Sequence, residues 1–257
     1  FEMQLTEITQ GEWKAAFANW NPSYFSQCGA NCPVEYVSWY DTLAFANWKS
    51  EEAGLAPCYV FLGVKCENGS TVGSNYKNCL NGEKGGIDSG TVTLAAGASK
   101  PYDCNGFRLP TEAEWEVAAR AGSATAFYPS SGNDGSFTQT GCSPVDPNLD
   151  QIGWYCGNGG GNTTHAVGGK EANAWGLKDM SGNVLEWCWD WWAEYPPGTG
   201  GAPALDPDGG APSSVRVCRG GGYGHDADIC RSASRLSYSP GYRYVNMGAR
   251  LGRSLGN

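Results

Sequence analysis

The chain has 257 residues, 40% of them hydrophobic, and a formal net charge of −9. That length removes roughly 70–75% of the unfolded surface from water, enough for a substantial core. The acidic balance excludes wrapping of nucleic acid, which needs a positive field, and no apolar run approaches the roughly 20 residues of a membrane helix. With 38 Gly and 14 Pro, few long regular elements and much loop are expected. No signal peptide is recognised, so the chain is read as cytoplasmic or already processed.

Three helices are predicted from their caps. In "TQGEWKAAFANW" Thr9 and Glu12 form a capping-box pair, and Trp13, Ala16, Phe17 and Trp20 share one face. In "SWYDTLAFANWKSEEAG" Ser38 and Asp41 repeat the arrangement and Gly54 is a natural stop. In "PTEAEWEVAARAG" Thr111 caps, Glu114 answers, Trp115, Ala118 and Ala119 give the buried stripe, and Gly122 ends the helix. Glu112, Glu114 and Glu116 invite an acid–base reading, but in a first helical turn they complement the positive end of the helix dipole without chemistry.

Between the second and third helices the composition turns rich in Gly, Asn and Ser. Six of the eleven cysteines (Cys28, Cys32, Cys58, Cys66, Cys79 and Cys104) lie from 28 to 104, a segment that gains rigidity from disulfides. Cys28 and Cys32 are spaced for a zinc pair, but no second pair or histidine follows closely. An odd total leaves at least one cysteine free or paired outside the chain. The compartment is read as oxidising.

Beyond residue 123 no helix is predicted; short apolar pieces alternate with Gly, Asn and Pro as strands and loops do. Trp187, Trp189 and Trp191 recur with a period of two, forming either core packing on one strand face or a sugar-stacking platform. Asp206 and Asp208 make a weak calcium-like run without the downstream Glu of a calcium loop. Capped helices first and short strands later, with no repeat or linker, describe one α+β domain over 1–257.

The ordered pieces "TQGEWKA", "CPVEYVSWYD", "FRLPTEAEWEVAARAG", "DPNLDQIGWYCGN", "NAWGLKDMSGNVLEWCWDWW" and "RGGGY…CRSASR…GARL" resemble the formylglycine-generating-enzyme or sulfatase-modifying-factor family over nearly the whole chain. The resemblance implies its loop-rich C-type-lectin-like fold. It also implies a further segment ahead of Phe1. Catalytic members carry two thiols, two and seven residues after a tyrosine matching Tyr223. Cys230 fits the second, but His225 stands at the first, so the copper-holding oxidase chemistry is not expected. A redox or metal-assisted enzyme using Cys230 with His225 is the alternative. The family also implies structural calcium, with Glu186 as a side-chain ligand and Asn148 at a second site; an ordinary salt bridge explains Glu186 equally well.

The tail adds its own signal. Lys, Glu, Gln and Trp fill 38 of the first 217 positions, so about seven are expected in the last 40; there are none, although seven of nine arginines lie at Arg216 or beyond. An Asn codon mutated only at its adenines reaches most residue types but never Lys, Glu, Gln, Trp or Met. Residues 219–251 resemble the tails of variable proteins of diversity-generating retroelements, in which an error-prone reverse transcriptase rewrites the positions between fixed ones. The cysteine-rich segment is most similar to the Treponema type. The fixed skeleton is then Arg219, Gly220, Gly221, Cys230, Arg231, Ser232, Ala233, Arg235, Pro240, Arg243, Gly248, Arg250 and Leu251, with Ala249 departing from the usual Phe. Met247, of a type such a codon cannot reach, also counts as fixed.

The exchangeable, ligand-binding positions are Gly224, His225, Asp226, Asp228, Ile229, Ser234, Leu236, Ser237, Tyr238, Ser239, Gly241, Tyr242, Tyr244, Val245 and Asn246. Their mixture of Tyr with small polar residues is that of a paratope. Arg231, Arg235 and Arg243 are expected to serve the scaffold by pairing with carboxylates or carbonyls. These features describe a non-catalytic binder of a variable protein or surface ligand, outside the cell and anchored as a lipoprotein. The rival from another class is a fixed carbohydrate-binding module on the Trp row.

Overall fold

The computed structural model describes all residues except 19, 132, 161, 196–209, 256 and 257. Asp206 and Asp208 lie outside the described residues.

All three capping boxes form. Helix α1 (Gln10–Ala16) starts where Thr9 Oγ1 accepts from the Glu12 N–H and Glu12 returns the bond to the Thr9 N–H. Helix α2 (Trp39–Glu52) is set in the same way by Ser38 and Asp41. Helix α3 (Glu112–Arg120) is set by Thr111 and Glu114, and its last turn closes at Gly122, φ +89°. One helix was not expected. Helix α4 (Pro147–Ile152) is a short turn whose N-cap Asp146 accepts from the N–H groups of Asn148 and Leu149, with Pro147 at the first position where no donor is needed.

Three small sheets surround these helices. Strands β1 (Glu2–Met3) and β5 (Phe107–Arg108) flank β10 (Gly252–Arg253), so the two ends of the described chain meet. Strands β2 (Tyr59–Cys66), β3 (Thr71–Gly73) and β4 (Ile87–Leu94) form an antiparallel sheet inside the cysteine-rich segment. The third sheet runs β8 (Leu236–Tyr238), β7 (Arg216–Arg219), β6 (Leu185–Trp191), β9 (Met247–Gly248), with only β6–β9 parallel. About 19% helix and 18% strand make this a loop-rich α+β fold.

Strand β6 divides the core. Leu185 and Trp187 face Trp13, Trp39, Phe45 and Leu251 on one side, and Cys188 faces Trp115, Tyr155 and Met180 on the other. The indole row is packing. Trp187 is fully buried with its Nε1–H on the Val37 carbonyl at 3.0 Å, Trp189 stacks on Tyr59, and Trp191 lies under the Arg216 guanidinium at 3.4 Å. These rings have their faces occupied, so an open sugar platform is not what the row builds.

The six cysteines of 28–104 pair among themselves as Cys28–Cys32, Cys58–Cys104 and Cys66–Cys79, and Cys142–Cys156 adds an unanticipated fourth bridge. Four disulfides indicate an oxidising, extracytoplasmic setting. Among the described residues Cys188, Cys218 and Cys230 are free and buried. Among the described residues no helix is long and apolar enough to cross a membrane.

Candidate ligand-binding face

The tail leaves β7 at Arg219, loops out to Arg235, returns through β8, loops again over 239–246 and re-enters the core at β9. Its arginines are braces. Arg219 is fully buried, pairs with Glu116 at 2.5 Å, and donates to the carbonyls of Ser232, Ala233 and Ser234, holding the far limb of the first loop. Arg235 grips Glu112 with two bonds at 2.5 and 2.7 Å, and Arg231 donates to the Asp228 carbonyl at 2.8 Å. Arg243 clips the second loop to Asp41 and to the Ile87 carbonyl, at 2.8 and 2.7 Å. Thus the first-turn carboxylates of α3 serve as partners for arginines as well as for the helix dipole. Gly221 belongs to the frame for steric reasons: at φ +74° its Cβ would stand 2.6 Å from Cys230 Sγ.

The exchangeable positions sort the other way. Fourteen of the fifteen are exposed or half-buried, whereas eight of the thirteen fixed ones are buried. Gly224, Asp226, Ser239, Tyr242 and Tyr244 are the most open. Tyr238, Tyr242 and Tyr244 form a ladder of near-parallel rings, with centroids 4.8 and 6.1 Å apart. Two positions depart from expectation. Asn246 is buried, its carbonyl accepting from the Leu185 N–H at 2.7 Å while its side chain packs on Gly222. Gly241 is lodged against the second sheet, where a Cβ would meet the Asp88 carbonyl at 2.4 Å.

Thiol chemistry finds no support. Cys230 is fully buried, and burial, with the charges of Asp228 and Asp226 adding, pushes its thiol well up, away from the reactive thiolate. Burial lowers His225 towards the neutral imidazole, and its Nδ1 has no partner. No hydrogen bond joins the two among the described residues. Cys142, Cys156 and Asp226 converge closely enough to suggest a metal group, but both sulfurs are spent in the disulfide.

The calcium expectations divide. Both oxygens of Glu186 are taken by the Arg250 guanidinium at 2.7–2.9 Å, and Trp115 Nε1–H donates at 2.6 Å, so this carboxylate does not fit a cation. Around Asn148 oxygens of the kind calcium takes are gathered, the Ser136 carbonyl, Ser136 Oγ and Asp134 Oδ1, but all three accept from Asn148 Nδ2 at 2.9–3.3 Å, so a cation there would have to displace the amide nitrogen.

Residues 23–36, marked in the sequence only by Cys28, Cys32 and the motif from Cys32 onwards and not as part of a binding face, form the wall beside the second loop. Phe25 meets Tyr223 edge-on at 5.4 Å, and the Tyr36 N–H donates to the Tyr244 carbonyl at 3.1 Å. Beneath them Glu35 is fully buried. It accepts from the Phe25 N–H at 2.8 Å, and burial lifts its carboxyl to about 7. Burial does the same to Asp190, also to about 7.

A carboxyl whose folded pKa lies above its unfolded one favours folding only while protonated. These two groups therefore begin to oppose folding above the ordinary values of 4.5 and 3.8 and do so fully above about 7. Between pH 5 and 7 each should lower stability by about 1.4 kcal/mol per pH unit. Asp146, held low by N–H and hydroxyl donors against its burial, gives way only below 3.8 and leaves this window alone. Thermal melts at pH 5.5 and 8 should show the higher Tm at 5.5, and Glu35→Gln with Asp190→Asn should shrink the difference, the remainder belonging to Glu7 and Asp179, which burial also raises; an unchanged slope in the double variant refutes the assignment.

The profile of the sulfatase-modifying factor enzyme 1-like domain matches residues 1–255. The chain belongs to this family. Among curated proteins it is similar to chaperone protein LppX of Paenibacillus barcinonensis, 34% identical over 201 residues, 72% of this chain and 60% of that one. It is similar also to the formylglycine-generating enzyme of Thermomonospora curvata, 34% identical over 155 residues, 56% of this chain and 48% of the enzyme. The chain thus spans between about half and three fifths of these relatives. Among solved structures, Treponema denticola variable protein 1 is 35% identical with a TM-score of 0.73, covering 97% of this chain and 82% of its own. PvdO from Pseudomonas aeruginosa shares the fold at 23% identity and a TM-score of 0.63, covering 98% and 80%. The family and fold expected from the motifs hold, and so does the likeness to a Treponema variable protein.

Proposed function

We propose that the chain is a non-catalytic display domain whose tail, rewritten at template adenines by a diversity-generating retroelement, binds a protein or other surface ligand outside the cell, with a lipid anchor as the mode of attachment. The observation that carries this reading is the sorting of the tail. All but one of the positions an adenine-mutated Asn codon can rewrite are exposed or half-buried, and the arginines and glycines between them are pinned by hydrogen bonds or by close packing. A scaffold that must survive changing side chains needs this division, because exposed substitutions move stability by about 0.5 kcal/mol or less and buried ones by far more. The likeness to Treponema denticola variable protein 1 supports it further. Buried Cys230 opposes the enzyme alternative. The oxygen cluster around Asn148 is proposed as a structural calcium position that fastens the loop from 134 to 148, which meets the display face where the Thr140 carbonyl accepts from the Asp228 N–H and Cys142 Sγ lies 3.1 Å from Asp226.

The test is sequencing of codons 215–257 from many cells of the source strain beside any near-copy of that segment in the genome. Substitutions are expected only in codons whose near-copy partner carries adenine, with Arg219, Gly221, Arg243 and Arg250 constant. An invariant tail without a near-copy overturns the reading. In the same frame, converting Gly224, Ser237, Ser239, Tyr242 and Tyr244 together to Asn should shift unfolding by no more than about 2.5 kcal/mol in total, the sum of small surface effects. A collapse of the fold in that variant would show that these residues are structural.

A further inference from the structure

We propose that Tyr36 and Tyr24, both outside the tail, are constant contact residues of the binding face, a fixed aromatic edge against which every version of the tail presents its own side chains to a polypeptide ligand. The inference rests on the display reading above and adds to it which residues do not vary. Tyr36 is 37% exposed and Tyr24 70%, beside Tyr242 at 36% and Tyr244 at 51%. Tyr36 meets an exchangeable position through its backbone, and Tyr24 reaches the tail through Phe25 and Tyr223. The Tyr36 N–H holds the Tyr244 carbonyl, and Tyr24 packs edge-on against Phe25 at 5.0 Å, which in turn meets Tyr223. The phenols of Tyr24 and Tyr244 are both near enough to Tyr223 to raise its pKa, after burial and the Glu35 charge, to about 12.

Tyr36 also carries a local cost. At φ +65° it occupies the left-handed region that favours glycine and asparagine over a residue with a large side chain. An exposed aromatic gains little core packing in return, and such strain concentrates where a side chain must be aimed. The wall is built to aim it. Cys28–Cys32 closes the turn of the segment, Gln10 Nε2 and Glu35 tie down Phe25 from both sides, and the Asn31 carbonyl is held by the Val167 N–H. A ring fixed in this way loses little entropy on contact, and Tyr offers large area for two torsions, suited to a polypeptide surface.

The geometry supplies its own control. Tyr36→Asn removes the ring and places at φ +65° a residue that tolerates it, so the variant should melt at or above the parent temperature. A library diversified at the exchangeable positions is displayed and selected against lysozyme as a defined protein probe. Tyr36→Asn and Tyr24→Ser are then introduced into each selected binder and the Kd measured. Loss of tenfold or more in most binders, with Tm maintained, is the expected result. Kd values within twofold of the parents, or losses that track a fall in Tm, overturn the assignment of the two rings. A library that yields no binder above the unselected background overturns the display reading instead, and this inference with it.

Discussion

Replacing Arg250 with Met is expected to lower stability by about 3–5 kcal/mol, because it leaves buried carboxylate without a counter-charge. Arg250 is fully buried and saturates Glu186 through Nε and Nη2, while Nη1 and Nη2 also donate to the carbonyls of Gln4, Leu5 and Lys178. Two further acids sense it. Glu7 and Asp179 are both pushed up by burial first and then by neighbouring carboxylates, Glu7 by Asp179 and Glu186 and Asp179 by Glu186, with Arg250 pulling the other way, and three of their four oxygens have no partner. In the Met variant three acids share a dry site with no cation, so protonation is the remaining relief and the loss should shrink as pH falls towards 5. Adding Glu186→Leu should recover much of the deficit, since an apolar pair of similar volume escapes the desolvation cost of two ions. Urea unfolding of the single and double variants at pH 5 and 8 measures this. A single-variant loss below about 1 kcal/mol would mean that the pair does not hold the chain ends to the core.

How much of this was legible in the sequence depends on the range of each interaction. The capping boxes at Thr9, Ser38 and Thr111 are closed within four residues, so the letters alone locate those helices. Helix α4 was missed because its six residues carry too little periodicity; it stands on Asp146 and on Leu149 and Ile152 buried against Tyr155 and Trp115. Glu112 could be placed in a first turn, but not opposite Arg235, which arrives from 123 positions away. Glu186 had two readings from the letters, ligand or salt bridge, and only the approach of Arg250 decides between them. The tail's exchangeable set came from codon logic, which knows nothing of packing. Asn246 and Gly241 are thus the positions where surfaces from elsewhere, Gly222 and Asp88, intrude. Tyr24 and Tyr36 gave no signal because exposure is a property of the finished fold.

The second large effect belongs to Cys58–Cys104. Replacing both with Ala is expected to cost about 4 kcal/mol, from the entropy regained by an unfolded chain no longer closed over a separation of 46 residues. Cys28–Cys32, separated by 4, should cost about 2 kcal/mol on the same reasoning. The larger bridge clips the base of a long excursion that includes the whole β2–β4 sheet, with Cys66–Cys79 nested inside it. That sheet bears on the binding face. Its Ile87 N–H donates to Asp41 Oδ1 at 2.7 Å, its Ile87 carbonyl accepts from Arg243, and Asp88 abuts Gly241. Loosening the base should therefore travel to the second loop of the tail, with faster amide exchange over 239–246 than over 224–234, which is braced by Arg219 instead. Equal exchange in both loops would mean that the cysteine-rich segment is an independent appendage. Unequal exchange would make it the buttress that lets one half of the display face change without losing its shape.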